Sequence, residues 1–93
     1  METISLASVV VASKDQISTD LEDEVVVLHL SDGVFFRLNG SGTRIWNLLQ
    51  VPLSVGAIRD TLIEDYEVEP NRCEQDLLKL LQELYSKGLI EIK

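Results

Sequence analysis

The sequence predicts an α+β fold in which a three-stranded antiparallel sheet precedes three helices. Two observations carry this. Runs of β-branched and aromatic residues fall before residue 40, at Val9-Val10-Val11-Ala12 and on either side of Asp32-Gly33. Beyond that point apolar residues recur at helical spacing in three segments, punctuated by Gly, Pro and Ser. A period of two followed by a period of 3.6 segregates strands from helices along the chain. At 93 residues the chain makes a single domain, 1–93, with one modest core.

The first strand is Val9–Ala12, and it can continue around Gln16-Ile17. Residues 20–24 hold four carboxylates in five positions and read as a solvated acidic loop. No second cluster or histidine accompanies them to suggest a metal. The hairpin comes next. Asp32-Gly33 supplies the positive φ angles of a tight turn. A two-residue loop pairs Leu30 with Phe35, His29 with Phe36, Leu28 with Arg37 and Val27 with Leu38. A three-residue loop with a bulge moves the register by one and turns one strand over. Both registers stay open here. Either one leaves large apolar groups on both faces, so one helical layer covers half of the hairpin and something else must cover the rest. The edge of the second strand is free to pair.

Asn39-Gly40-Ser41 breaks the hairpin, and Asn39 or Ser41 can cap a helix with Ile45, Leu48 and Leu49 at helical spacing and Trp46 beside them. Pro52 ends it. Ser54 caps a second helix with an inward stripe of Val55, Ile58 and Leu62. Tyr66 and Val68, leaving that helix, are expected in the core. Pro70 suits the first turn of a third helix that runs to 87 and is stopped by Gly88 in a left-handed cap. This helix carries two apolar stripes, Cys73/Leu77/Leu80/Leu84 and Leu78/Leu81/Tyr85. Together they exceed the roughly 100° arc a helix shows a single neighbour, so it touches two layers. Leu89-Ile90-Glu91-Ile92 reads as a terminal extended piece.

Composition narrows the function. A formal charge of −8 opposes a phosphate-binding surface and favours solubility or a basic partner. The start, Met1-Glu2-Thr3-Ile4-Ser5-Leu6, lacks the pattern of a secretory signal, and no apolar run approaches the roughly 20 residues that span a bilayer. A cytoplasmic protein without membrane partners is expected. Cys73 is the single cysteine, which excludes an intrachain disulfide or a thiolate metal cluster.

Catalytic groups are sparse. His29 sits mid-strand among valines and leucines and reads as a half-buried imidazole on a sheet face, without the oriented nucleophile a triad needs. Cys73 reads as a small packed hydrophobe. Asp60, Glu64, Asp65, Glu67 and Glu69 read as a solvated face, and Gly40-Ser41-Gly42 is too short to cradle phosphate. No enzyme activity and no cofactor are expected. A helix–turn–helix after a sheet is winged-helix-like, yet on the third helix Arg72, Lys79 and Lys87 are offset by Glu74, Asp76 and Glu83. Nucleic acid is therefore excluded as a partner.

An alternating strand and turn closing on Leu38-Asn39, then Gly42 and Ile45-Trp46, resembles the PqqD-like proteins. The later elements agree: Pro52 with Ser54-Val55, Tyr66-Glu67-Val68, Cys73 with Asp76, and Leu84 leading to Gly88-Leu89-Ile90. The likeness runs from Val9 to Ile92. It implies a small winged-helix domain that binds the leader of a ribosomally made precursor peptide and hands it to a separate enzyme. The leader adds a strand to the third strand of the sheet and lies against the third helix. In this sequence the edge is Val34, Phe35, Phe36, Arg37 and Leu38. The third helix then offers Cys73, Leu77 and Leu80 as a pocket floor, with Asp76 and Lys79 at the rim. The partner enzyme is a leader peptidase, as in lasso-peptide pathways, or a radical enzyme, as for pyrroloquinoline quinone; the lasso type is favoured. An acidic winged-helix module for another protein partner is the alternative.

Overall fold

The computed structural model describes residues 3–93; Met1 and Glu2, the start of the stretch read against a secretory signal, lie outside them. In chain order the elements are β1 (Val9–Ala12), β2 (Gln16–Leu21), β3 (Glu24–His29), β4 (Phe35–Asn39), α1 (Ser41–Leu48), β5 (Leu53–Ser54), α2 (Val55–Tyr66), α3 (Pro70–Ser86) and β6 (Ile90–Ile92). The fold is α+β with three helices, as expected. The strands, however, form two three-stranded antiparallel sheets, ordered β5-β1-β6 and β2-β3-β4. A pair of residues after Pro52 and the last residues of the chain supply β5 and β6, and both pair with β1. Such short strands carry almost no periodic signal of their own, so a sequence pattern does not separate one sheet from two.

β2 is a strand in its own right rather than an extension of β1. Leu21 pairs with Glu24, so the acidic run 20–24 is the end of one strand, a two-residue turn and the start of the next. Glu22 takes φ 51 in that turn. A non-glycine residue rarely accepts this conformation, which is why composition alone suggests a loop.

The β3–β4 register is neither of the two considered. Val27 pairs with Phe36 and Val25 with Leu38, leaving a four-residue loop of Leu30, Ser31, Asp32 and Gly33. His29 donates its amide to the Val34 carbonyl at 2.9 Å, and Gly33 donates back to His29 at 2.9 Å. Relative to the two-residue loop the shift is two residues, which preserves faces because the side-chain period is two. Val25, Val27 and Leu38 are buried, with Phe36 half-buried beside them. His29 turns back on the loop. Its Nδ1 lies 2.8 Å from the Asp32 carboxylate and its Nε2 3.4 Å from Asp15, which also accepts from Ser31.

The helices follow their caps. Ser54 Oγ accepts from the Ala57 amide at 3.1 Å, and the Glu69 carboxylate accepts from Asn71 and Arg72 at 3.1 and 2.7 Å, with Pro70 in the first turn. At α1 neither Asn39 nor Ser41 caps. Asn39 is still in β4, so the turn into the helix takes one residue, Gly40 at φ 54. Trp46, Leu49, Ile58, Leu77, Leu81 and Leu84 fill the centre of the core. Along α3 the buried line is Cys73, Leu77, Leu81 and Leu84, drawn from both expected stripes; Leu78, Leu80 and Tyr85 flank it half-buried.

α3 ends in a paired cap: Gly88 (φ 75) donates to the Tyr85 carbonyl and Leu89 to that of Leu84, each at 3.0 Å. This is the Schellman arrangement, with Leu84 and Leu89 both buried as its apolar contact. A Cβ on Gly88 would stand 3.1 Å from His29 Nε2, whereas one on Gly33 (φ 71) meets nothing within 4 Å. Gly33→Ala is expected to cost about 1–2 kcal/mol for its left-handed backbone. Gly88→Ala should cost more, because His29 must also move. A thermal melt in which the two variants lose the same amount would remove the His29 contact from this account.

Asp32 supplies a pH-dependent part of the same junction. Its hydrogen bond to His29 holds the carboxyl below its ordinary value. A carboxyl whose folded pKa is depressed stabilises the fold while ionised, and that contribution fades as the pH falls from about 4 into the acid range. Wild type should melt higher than Asp32→Asn at neutral pH, and the gap should close below about pH 4. A gap that persists into acid would show that the carboxylate charge is not what matters.

Candidate functional site

β4 lies at the end of its sheet, bonded to β3 on one side. Antiparallel ladders alternate residues that bond across the pair with residues whose amide and carbonyl point away. The His29–Val34 hydrogen bond sets the phase: Val34, Phe36 and Leu38 face β3, and Phe35 and Arg37 turn their backbone groups to the open edge. An exposed edge is a template for another strand. The side chains alternate independently. Leu38 is buried and Val34 and Phe36 are half-buried, while Phe35 and Arg37 are exposed on the far face.

α3 meets this strand through its C-terminal end. At the start of β4, Lys87 Nζ sits 5.8 Å above the Phe36 ring, a cation–π contact that ties down the end of the helix. Beyond the end of β4, Ser41 and Ile45 of α1 share a pocket with Cys73 and Leu77 of α3. Between these ends α3 packs chiefly on α2 and β6.

The pocket, about 450 Å³, is completed by Leu62 and Tyr66 of α2, Val68 of the following loop, and Arg72, Asp76 and Leu80 of α3. Four of the five α3 residues expected in a site (Cys73, Asp76, Leu77 and Leu80) therefore come together. Lys79 is exposed and lies outside the lining. Leu77 and Cys73 form the floor. Burial, then the Asp76 carboxylate, pushes the Cys73 thiol up, which disfavours the thiolate. At the rim Arg72 and Asp76 approach within 3.9 Å, both largely exposed. The lining is apolar, with a single charged pair at its mouth.

Tyr66 and Val68 are not core residues. They are 45% and 41% exposed and line the pocket on either side of Glu67, the left-handed C-cap of α2 (φ 50). The available signal was their setting, two large apolar residues among Glu64, Asp65, Glu67 and Glu69 with no helical stripe to join. The carboxylates of that run do specific work as well: Asp65 pairs with Arg44 at 2.9 Å, and Glu69 caps α3.

Other chemistry is thin. His29 hydrogen-bonds Asp32 through Nδ1 and has Asp15 3.4 Å from Nε2, so the two carboxylates lie on opposite nitrogens of the ring. Among the described residues no group of three or more His, Cys, Asp or Glu is arranged to hold a metal, and no helix is long and apolar enough to cross a membrane.

Comparison with known proteins bears on the same elements. The family described as Coenzyme PQQ synthesis protein D (PqqD) matches residues 24–90, from the start of β3 into β6. Among solved structures, TbiB1 in complex with the TbiA(beta) leader peptide is similar, at 37% identity and a TM-score of 0.81 over 87% of this chain and 94% of that one. No curated protein matches. A match that takes in the open strand, the pocket and all three helices covers most of the chain, and the chain belongs to the PqqD family.

Proposed function

We propose that this protein is a non-catalytic adaptor that binds the leader region of a ribosomally synthesised precursor peptide and delivers it to a separate enzyme. The observation that carries the proposal is an unpaired strand edge beside an apolar pocket, in a chain 37% identical to a protein solved with a leader peptide. The leader adds as a fourth strand to β4. Phe35 and Arg37 contribute their outward backbone groups, and the neighbouring Val34, Phe36 and Leu38 hold the strand on the sheet. Backbone pairing supplies affinity with little regard to sequence, and side-chain pockets supply selection. Here Cys73, Leu77 and Leu80 would receive a large apolar leader side chain, with Asp76 and Arg72 at the rim and Lys79 on the outer surface of α3. The 93 residues act as one winged-helix-like recognition domain, with β2-β3-β4 as the sheet beside the helices.

Of the two family roles, delivery to a leader peptidase in a lasso-peptide pathway is the one we adopt. Service to a radical enzyme is the alternative. The identity of the enzyme that requires this protein discriminates between them.

Titration with a peptide spanning the precursor leader tests the binding mode. Arg37→Pro removes one edge donor and no core side chain, and proline is tolerated where the amide faces solvent. It should abolish most of the binding while leaving the melting temperature near wild type. Bound leader should also shield Cys73 from a small thiol reagent at alkaline pH. Full affinity in Arg37→Pro would move the site off β4.

Delivery has its own test. An adaptor acts by raising the effective concentration of precursor at the enzyme. The enzyme should process full-length precursor quickly when this protein is added, and a precursor lacking its leader should gain nothing. Modification or cleavage of the precursor by this protein alone would refute the non-catalytic reading.

A further inference from the structure

Tyr66 ends α2 and lines two cavities at once. One is the apolar pocket. The other, about 440 Å³, is polar, walled by Glu22 and Asp23 of the β2–β3 turn and by Thr43, Arg44 and Asn47 of α1. α1 divides the two by its faces, since Ser41 and Ile45, one turn apart, line the first cavity and not the second. Among the described residues only Tyr66 lines both. The backbone around it is tied down on each side. Arg44 pairs with Asp65 at 2.9 Å, holding the last turn of α2 against α1, and Thr43 Oγ1 donates to the Asp23 carbonyl at 3.1 Å. The cavities differ in charge. At the mouth of the pocket Asp76 is opposed by Arg72. In the second cavity Arg44 is engaged by Asp65, whereas Glu22 and Asp23 form no ion pair among the described residues, so its free charge is negative.

The geometry points to Tyr66 as the residue that decides which leader side chain the pocket accepts. The inference rests on the leader-binding reading above. With the ring in place the pocket ends in an apolar wall. It fits a compact apolar side chain and rejects an ammonium or guanidinium, whose charge would lose its water without gaining a partner. Shortening residue 66 to alanine opens the wall and joins the two cavities. A lysine or arginine of the leader then lays its apolar stem along the pocket and carries its charge through to Glu22 and Asp23. One aromatic ring thereby separates an apolar specificity from a basic one.

The test titrates wild type, Tyr66→Ala and Tyr66→Phe with a synthetic peptide spanning the precursor leader. The leader residue seated in the pocket is identified on wild type, as the one whose replacement by alanine reopens Cys73 to a small thiol reagent. That position is then set in turn to leucine, phenylalanine, lysine and arginine. Wild type should bind the leucine and phenylalanine peptides roughly tenfold or more tighter than the basic ones. Tyr66→Ala should erase this ranking, with the basic peptides gaining about tenfold relative to leucine, and Glu22→Gln/Asp23→Asn in the same background should remove the gain. Tyr66→Phe, the conservative replacement, should restore the wild-type ranking, because the ring forms the wall. If Tyr66→Ala melts well below wild type, Tyr66→Leu carries the same comparison. An unchanged ranking in the shortened variant overturns the inference and leaves the leader-binding reading standing. A gain for basic peptides that survives Glu22→Gln/Asp23→Asn overturns it too, because the charge then ends somewhere other than the second cavity. Bound leader with no residue that shields Cys73 also overturns it, by placing the leader outside the pocket. Failure of wild type to bind leader at all removes the leader-binding reading itself.

Discussion

The end of α3 is the junction on which the rest of the structure depends. A helix must satisfy its last carbonyls, and here Gly88 and Leu89 do so by turning back on Tyr85 and Leu84. That reversal sends Ile90–Ile92 along β1, and Leu89 also accepts the amide of Ser13 at 2.9 Å. The bare backbone of Gly88 lets His29 of β3 approach, so the second sheet is seated against the same turn. One reversed residue thereby couples a helix to both sheets.

That coupling orients the candidate site. With its last turn held under β3 and Lys87 over Phe36, α3 is fixed at one end of β4. At the other end α1 leaves β4 through Gly40 and brings Ile45 to Cys73 and Leu77. The strand edge and the pocket are thus parts of one arrangement, a hydrogen-bonding row with an apolar cavity at its end. In the proposed reading the first would engage an extended backbone and the second would select among side chains. Such a division suits a protein that must grip one segment of a longer chain and leave the remainder free.

The charge pattern fits the same picture. An acidic chain keeps phosphates away, and most of its carboxylates are solvent-exposed or engaged in caps and ion pairs with Arg44, Arg59 and the α3 amides. The pocket floor is left without carboxylates and can bury apolar groups without stranding a charge.

Local rules were enough for much of this. Ser54 and Pro70 mark helix starts through satisfied or absent amides, Gly88 marks a stop through its left-handed backbone, and the spacing along α3 revealed a helix with more apolar surface than one neighbour could cover. Cys73, Leu77 and Leu80, which line the pocket, lie on that surplus face, and the β4 edge is unpaired in a chain where no strong strand follows it. Other features depend on contacts distant in sequence. β5 and β6 exist because β1 lies beside them. The hairpin register differs by two residues from the two-residue turn, a shift that preserves faces and that no alternation of Val and Phe distinguishes. Tyr66 and Val68 line the pocket instead of the core, and Lys79 is exposed outside it. Sequence by itself determined the elements, their ends and the surplus apolar face. Tertiary structure decided register, sheet membership and which side chains meet, because those depend on long-range packing that local propensity does not contain.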